Sequence, residues 1–270
     1  MRWTKRLKWI RASKIIIPIA LAISLVFAGF SVYAKEAEYF VLRVNNGDGV
    51  NLALAMKRDL SDATPRLLVP VNGGYDNVTW TPDKNRVYEP NRYGRDLPDD
   101  IAQHDGEHSI YETNGRYSFY SFSFWLINKS NRAVDVDMRM DIDSITVGKN
   151  DSDIHIDEAI RVMVIEGDNP GPRLSDNTYM IYKKAEKTEE AEKELTDTLR
   201  KVDGYDNTKT ISFESDLCIF NNEGDWGIKN LVAGETKRFT IVVWLEGWDP
   251  ECIDPIIGER LKMSMSFTGH

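Results

Sequence analysis

The sequence predicts an all-β fold: a jelly-roll-like β-sandwich with one surface helix at about 187–202 and an N-terminal signal helix. Three observations carry this expectation. Residues 133–145 alternate strictly, with Val134, Val136, Met138, Met140 and Ile142 on one face and Asp135, Asp137, Arg139, Asp141 and Asp143 on the other. A period of two belongs to a strand with one face buried and one wet. Residues 117–127 put Tyr120, Phe122, Phe124 and Leu126 on one face and Phe119, Ser121, Ser123 and Trp125 on the other, as a core strand does. Short apolar runs separated by turn clusters fill the rest, and the absence of a 20–50-residue repeat argues against a solenoid or propeller.

The N-terminus comes first. Arg2, Lys5, Arg6, Lys8, Arg11 and Lys14 precede any acid, and a 16-residue apolar run from Ile15 to Phe30 follows. As a helix that run spans about 24 Å, short of the roughly 30 Å hydrocarbon core of a bilayer. Val32-Tyr33-Ala34 then offers small or branched side chains at the −3 and −1 positions. Together these read as a secretory signal peptide cleaved after Ala34, with an uncleaved anchor as the alternative. The expected organisation is a signal peptide over 1–34 and a single sandwich domain over 35–270, carrying a loop-rich insertion at 57–109. A signal peptidase is the expected partner during export, and the membrane is met only through the signal segment. The full chain carries −9, and loss of six positive charges with the leader takes the mature chain to −15. That charge repels nucleic acid and anionic lipid.

Along the mature chain, residues 38–44 read as a strand ended by Asn45-Asn46-Gly47-Asp48-Gly49, residue types that tolerate positive φ. Residues 50–56 resume a strand. Five prolines between Pro65 and Pro98 break up the insertion, leaving short strands near 67–69 and 77–80. The strand at 117–127, the turn Asn128-Lys129-Ser130-Asn131 and the strand at 133–145 read as a β-hairpin. Residues 159–166 are apolar on both faces, and 178–183 form a short strand. In 187–202, Ala191, Leu195, Leu199 and Val202 make a narrow helical stripe. Short strands at 211–213 and 217–220, a strong one at 238–245 and a half-exposed one at 260–267 complete the sandwich.

Chemistry-bearing patterns are few. His104-Asp105-Gly106-Glu107-His108 matches H-x-x-E-H, in which His104 and His108 would share a zinc ion and Glu107 would act as base on a helix. Asp105-Gly106 is a turn dipeptide, however, and the flanks are loop-like, so a solvated loop is the preferred reading. Asp135, Asp137, Asp141 and Asp143 line one strand face and could gather calcium, but the spacing lacks an EF-hand's glycine. A solvated acidic face is the default. Cys218 and Cys252 admit one disulfide in an exported chain, with two free buried thiols as the alternative. No nucleophile elbow or phosphate loop is present, so a non-enzymatic role without cofactor is expected. In Trp244, Glu246, Gly247, Trp248, Asp249 and Pro250, a buried strand ends, turns and turns again, making a strand-to-strand corner.

The long apolar signal, "AIRVMVIE" at 159–166 and "WLEGWDPEC" at 244–252 resemble the exported TasA/camelysin-type proteins of Firmicutes, which use the dedicated signal peptidase SipW. The likeness covers the signal and, loosely, residues 117–267. It implies a jelly roll that assembles into extracellular or biofilm-matrix fibres, in some members by donating an N-terminal strand to the next subunit. It also brings in a metallopeptidase reading through the camelysin branch. On this basis the expected function is a secreted or cell-surface structural protein that polymerises with itself. Its assembly strand would carry Tyr39, Phe40, Val41, Leu42 and Val44. A monomeric surface module for a glycan or protein is the alternative, and a zinc peptidase is another.

Overall fold

In a computed structural model of the full chain, the described residues are 39–70, 77–78, 119–147, 153–167, 178–186, 193, 210–213, 218–221, 227–246, 249, 251–253, 256 and 258–270. The expected signal segment and its cleavage site lie outside them, as does the 187–202 helix except Lys193, which is helical. Residues 40–270 form one compact unit. Among the described residues, no helix is long and apolar enough to cross a membrane.

The protein is all-β, as the periodicity predicts. Its strands are β1 (Tyr39–Asn45), β2 (Leu52–Ala55), β3 (Arg66–Pro70), β4 (Asn77–Val78), β5 (Phe119–Asn128), β6 (Val134–Thr146), β7 (Ile160–Glu166), β8 (Thr178–Lys184), β9 (Thr210–Phe213), β10 (Cys218–Asn221), β11 (Ile228–Leu231), β12 (Thr236–Glu246) and β13 (Arg260–Gly269). One four-residue helix, α1 (Ile156–Ala159), leads into β7. The first sheet runs β10-β6-β13-β1-β3, with β11 also on β6; the second runs β2-β5-β12-β7-β8-β9, with β4 on β12. Most pairs are antiparallel. The exceptions include β1 with β13, β4 with β12 and β8 with β9.

The two sheets enclose the core. Phe40, Phe122, Phe124, Phe239 and Phe267 meet there, with ring centroids 5.0 Å apart for Phe40–Phe122, 5.6 Å for Phe124–Phe239 and 5.7 Å for Phe124–Phe267. Strand β6 behaves as its alternation predicts, burying Val134, Val136, Met138, Met140 and Ile142 while Asp135, Arg139 and Asp143 stay exposed. The second sheet is different, because it buries both faces. Its outer face carries a second apolar cluster of Phe119, Met163, Ile165, Tyr179, Ile181, Val242 and Trp244. This is why β5 and β7 lack a wet side in the sequence.

One expectation is corrected. Strands β5 and β6 are not a hairpin, since β5 belongs to the second sheet and β6 to the first. The turn between them crosses the sandwich. Asn128, fully buried, explains the crossing: its Nδ2 donates to the carbonyls of Arg132 and Leu231 at 2.8 Å, and its Oδ1 accepts from the Ser130 amide at 2.8 Å. A buried amide satisfied on three sides fixes an arch where a hairpin would leave it facing water. The faces agree with this, because a doubly buried strand and a half-wet one suit different sheets. Strand β11 and α1 are also absent from the sequence expectations. In β11 the left-handed Asn230 (φ 55°) interrupts the alternation that would have marked it.

Candidate functional site

Two places in the fold concentrate unusual structure. The first is β1. Its side chains Phe40 and Leu42 are 1% and 0% exposed and fill the sandwich interior. On one side β1 runs parallel to β13, with Leu42 opposite Met265 and Arg43 opposite Ser266. On the other lies β3, and the Val44 amide donates to the Pro65 carbonyl at 3.0 Å. The expected assembly residues Phe40, Val41 and Leu42 are therefore core residues of their own chain, while Val44 packs partly buried at the core's margin and Tyr39 begins the strand. The following turn is tied down. The Leu52 amide donates to Asn46 Oδ1 at 2.8 Å, and Asn46 Nδ2 returns a bond to the Leu52 carbonyl at 3.2 Å. Only glycine fits at position 269, where a Cβ would lie 2.5 Å from Val50 Cγ1. The two chain ends of the sandwich thus meet along one seam.

The second place is the corner after β12. Pairing register sets Trp244, Arg161 and Lys183 side by side on the outer face of three adjacent strands. Burying Arg161 and Lys183 in apolar strands demands partners, and the corner supplies them. Asp249 Oδ2 lies 2.5 Å from the Arg161 guanidinium, with the two side chains 0% and 4% exposed. Lys183 Nζ is 3.5 Å from Glu186 Oε1, and both side chains are nearly fully buried. The Trp244 indole donates to Glu246 Oε2 at 3.2 Å. Asp249 also shapes the turn, accepting from the Glu251 amide at 2.9 Å through Oδ1.

Glu186, Glu246, Asp249 and Glu251 gather at this corner near Arg161 and Lys183. Carboxylate oxygens of Glu186, Asp249 and Glu251 all lie within 4.8 Å of one another. Glu251 is pushed up to about 8 by burial, then by its hydrogen bond to Asp249 and the charges of Asp249 and Glu186. Glu186 is raised by burial and by the Asp249 charge, against the opposing pull of Lys183. For Arg161, burial opposes the charged form, but Asp249 and Glu246 outweigh it and the pKa rises. The spacing of the three carboxylates is one that a divalent ion can bridge, but the adjacent guanidinium and ammonium repel a third cation. The arrangement suits a shared proton better than a metal.

The remaining expected site residues separate. His104, Glu107 and His108 lie outside the described residues, as do Gly247, Trp248 and Pro250 of the corner. His155 Nδ1 lies 3.1 Å from Glu259 Oε1 and His270 Nε2 lies 2.5 Å from Asp137 Oδ2, so each is engaged with a carboxylate. The four aspartates of β6 do not converge on a common centre. Asp135 accepts from the Asn230 amide at 2.7 Å, Asp141 from Arg139 at 2.8 Å and Asp143 from the Ser264 hydroxyl at 2.8 Å, while Asp137 faces His270. Cys218 and Cys252 are free thiols, not the disulfide that the sequence admits. Cys218 sits on β10 opposite Asp141, whereas Cys252 packs against the core from the corner, so each thiol has its own surroundings. The Cys252 thiol is pushed up to about 12 by burial and by the Asp249 and Glu246 charges, which makes it a poor nucleophile near neutral pH.

The sequence did not reveal Arg161, Lys183, Glu186 or Glu251 as members of this site. The available signal was a single arginine inside the doubly buried run "IRVMVIE", because a charge at such a position needs a buried counter-charge.

What the fold and these sites define is an all-β sandwich whose first described strand is part of its core and whose last crossover is closed by buried charges. No protein-family model and no curated protein sequence matches this chain.

Proposed function

We propose that this chain is an exported cell-surface or extracellular-matrix structural protein that assembles with copies of itself by donating β1 to the next subunit. The observation that carries this reading is the position of β1. It is the first strand among the described residues, it follows the signal-like segment, and it fills a slot between β13 and β3 with Phe40 and Leu42. A chain whose own β1 has left presents that slot as a template for an identical strand. Exchange of an identical element gives head-to-tail growth without a new interface chemistry. The resemblance of the signal, "AIRVMVIE" and "WLEGWDPEC" to TasA/camelysin-type matrix proteins leads to the same reading. The closed monomer is then the resting form.

The test is to lock β1 in its own chain. Arg43 and Ser266 are registered partners across β1 and β13. Adjacent strands lie about 4.8 Å apart, inside the Cα window of a disulfide. An Arg43→Cys/Ser266→Cys chain starting at Lys35, in a Cys218→Ser/Cys252→Ser background, stays monomeric by light scattering when oxidised and forms fibres by electron microscopy when reduced. Assembly of the oxidised chain at the reduced chain's rate, or no assembly by either, rules the reading out.

A further inference from the structure

Strand β2 ends the second sheet among the described residues, and its sequence is of the kind that adds another strand. Residues 50–56 read VNLALAM, with no charge and no proline. Sheet edges are ordinarily blunted by charges, prolines or bulges, and a short apolar segment without them pairs readily with its own copies. The ladder fixes which groups face outward. The Asn51 carbonyl accepts from the Lys129 amide at 2.7 Å on the β5 side. Alternation along an antiparallel ladder then turns the main-chain groups of Leu52, Leu54 and Met56 to the outer edge.

Each of these three residues is already engaged. The Leu52 amide donates to Asn46 Oδ1 at 2.8 Å and its carbonyl accepts from Asn46 Nδ2 at 3.2 Å, so one side-chain amide stands in for a neighbouring strand. Leu54 exchanges both main-chain bonds with Thr64, at 2.7 and 2.8 Å. That bridge is isolated, and the chain then leaves for the first sheet, where the Pro65 carbonyl accepts from the Val44 amide at 3.0 Å. The Met56 amide donates to Asp62 Oδ2 at 3.1 Å and the Lys57 amide to Asp62 Oδ1 at 3.2 Å. The turn that returns Asp62 to Met56 holds Leu60 at φ 59°, a left-handed conformation that a bulky side chain rarely adopts. Strain of this sort persists where the surrounding structure over-determines it. We propose that Asn46, Asp62 and the Leu54–Thr64 bridge are caps that close β2 to a second copy of this chain, whose own β2 would otherwise pair with it antiparallel across a two-fold axis. This edge lies in the other sheet from β1, and the proposal stands whether or not β1 is donated.

The experiment is run with β1 exchange blocked, so that any association belongs to another edge. The chain starting at Lys35, in the Cys218→Ser/Cys252→Ser background and oxidised at Arg43→Cys/Ser266→Cys, is compared with the same chain carrying Asn46→Ala/Asp62→Ala. Circular dichroism and urea unfolding establish that both are folded; if the double substitution prevents folding, Asn46→Ala alone takes its place. By light scattering across a dilution series, the uncapped chain dimerises at concentrations about tenfold lower than the capped one, the equivalent of about one or two hydrogen bonds. Adding Asn51→Lys, at an exposed position, reverses the gain, because in an antiparallel pair centred on Leu54 the new charge faces Lys57 of the second copy. An uncapped chain that associates no more than the capped one overturns the proposal. So does association that Asn51→Lys leaves unchanged, since lost stability and not the β2 edge would then be its cause.

Discussion

A chain beginning at Asn45 is expected not to fold by itself, and to fold when a peptide of residues 38–45 is added. The truncation removes Phe40 and Leu42 from the centre of the sandwich, where Phe40 lies against Phe122 at 5.0 Å. Emptying a buried phenylalanine site costs about 3–5 kcal/mol and a leucine site about 2–5 kcal/mol. The sum, roughly 5–10 kcal/mol, rivals the whole stability of an ordinary domain. Strand β3 would also lose its hydrogen-bonded neighbour. Far-ultraviolet circular dichroism and one-dimensional proton spectra check the outcome. The truncated chain should lack dispersed methyl signals, and an equimolar peptide should restore them. A truncated chain that folds cooperatively without the peptide shows that β1 is dispensable to the core.

The second large effect is expected at Asp249. Asp249→Ala leaves the Arg161 guanidinium buried without its nearest counter-charge, and breaking a buried pair from one side costs about 3–5 kcal/mol. Glu246 and Glu186 remain near Arg161 and temper the loss, so about 3 kcal/mol is the value to look for in urea unfolding. The double variant Arg161→Met/Asp249→Leu removes both charges and should recover most of that loss. If the double variant is as unstable as Asp249→Ala, the damage comes from the shape of the turn and not from an unpaired charge.

Much of the fold was legible because hydrophobic period and burial coincide. The alternation of β6, the aromatic run of β5 and the apolar run of β12 fall within a few residues of their observed bounds. Sheet membership was not legible. Adjacent strands joined by a polar turn suggest a hairpin, whereas the pairing of β5 with β12 and of β6 with β13 makes the turn an arch, held by Asn128 satisfied on three sides. The corner was half legible. Trp244, Glu246 and Asp249 lie close in sequence and marked it as a turn, whereas Arg161, Lys183 and Glu186 reach it only through the registers of β7 and β8. Pairing of that kind is set by the tertiary structure, and local pattern carries no trace of it beyond the isolated charges. The same limit applied to β1: its apolar run marked a strand, but not its parallel seat beside the last strand of the chain.

The most direct test of strand donation asks whose β13 a given β1 pairs with in assembled material. Two chains starting at Lys35 are prepared without native cysteines, one carrying only Arg43→Cys and the other only Ser266→Cys, positions that face each other across β1 and β13. They are mixed, allowed to assemble, and oxidised. Strand donation predicts covalent heterodimers joined through residues 43 and 266, identified by mass spectrometry of the linked peptides. Fibres that form from the same mixture without that cross-link would contradict it, because every β1 would then still be paired within its own chain.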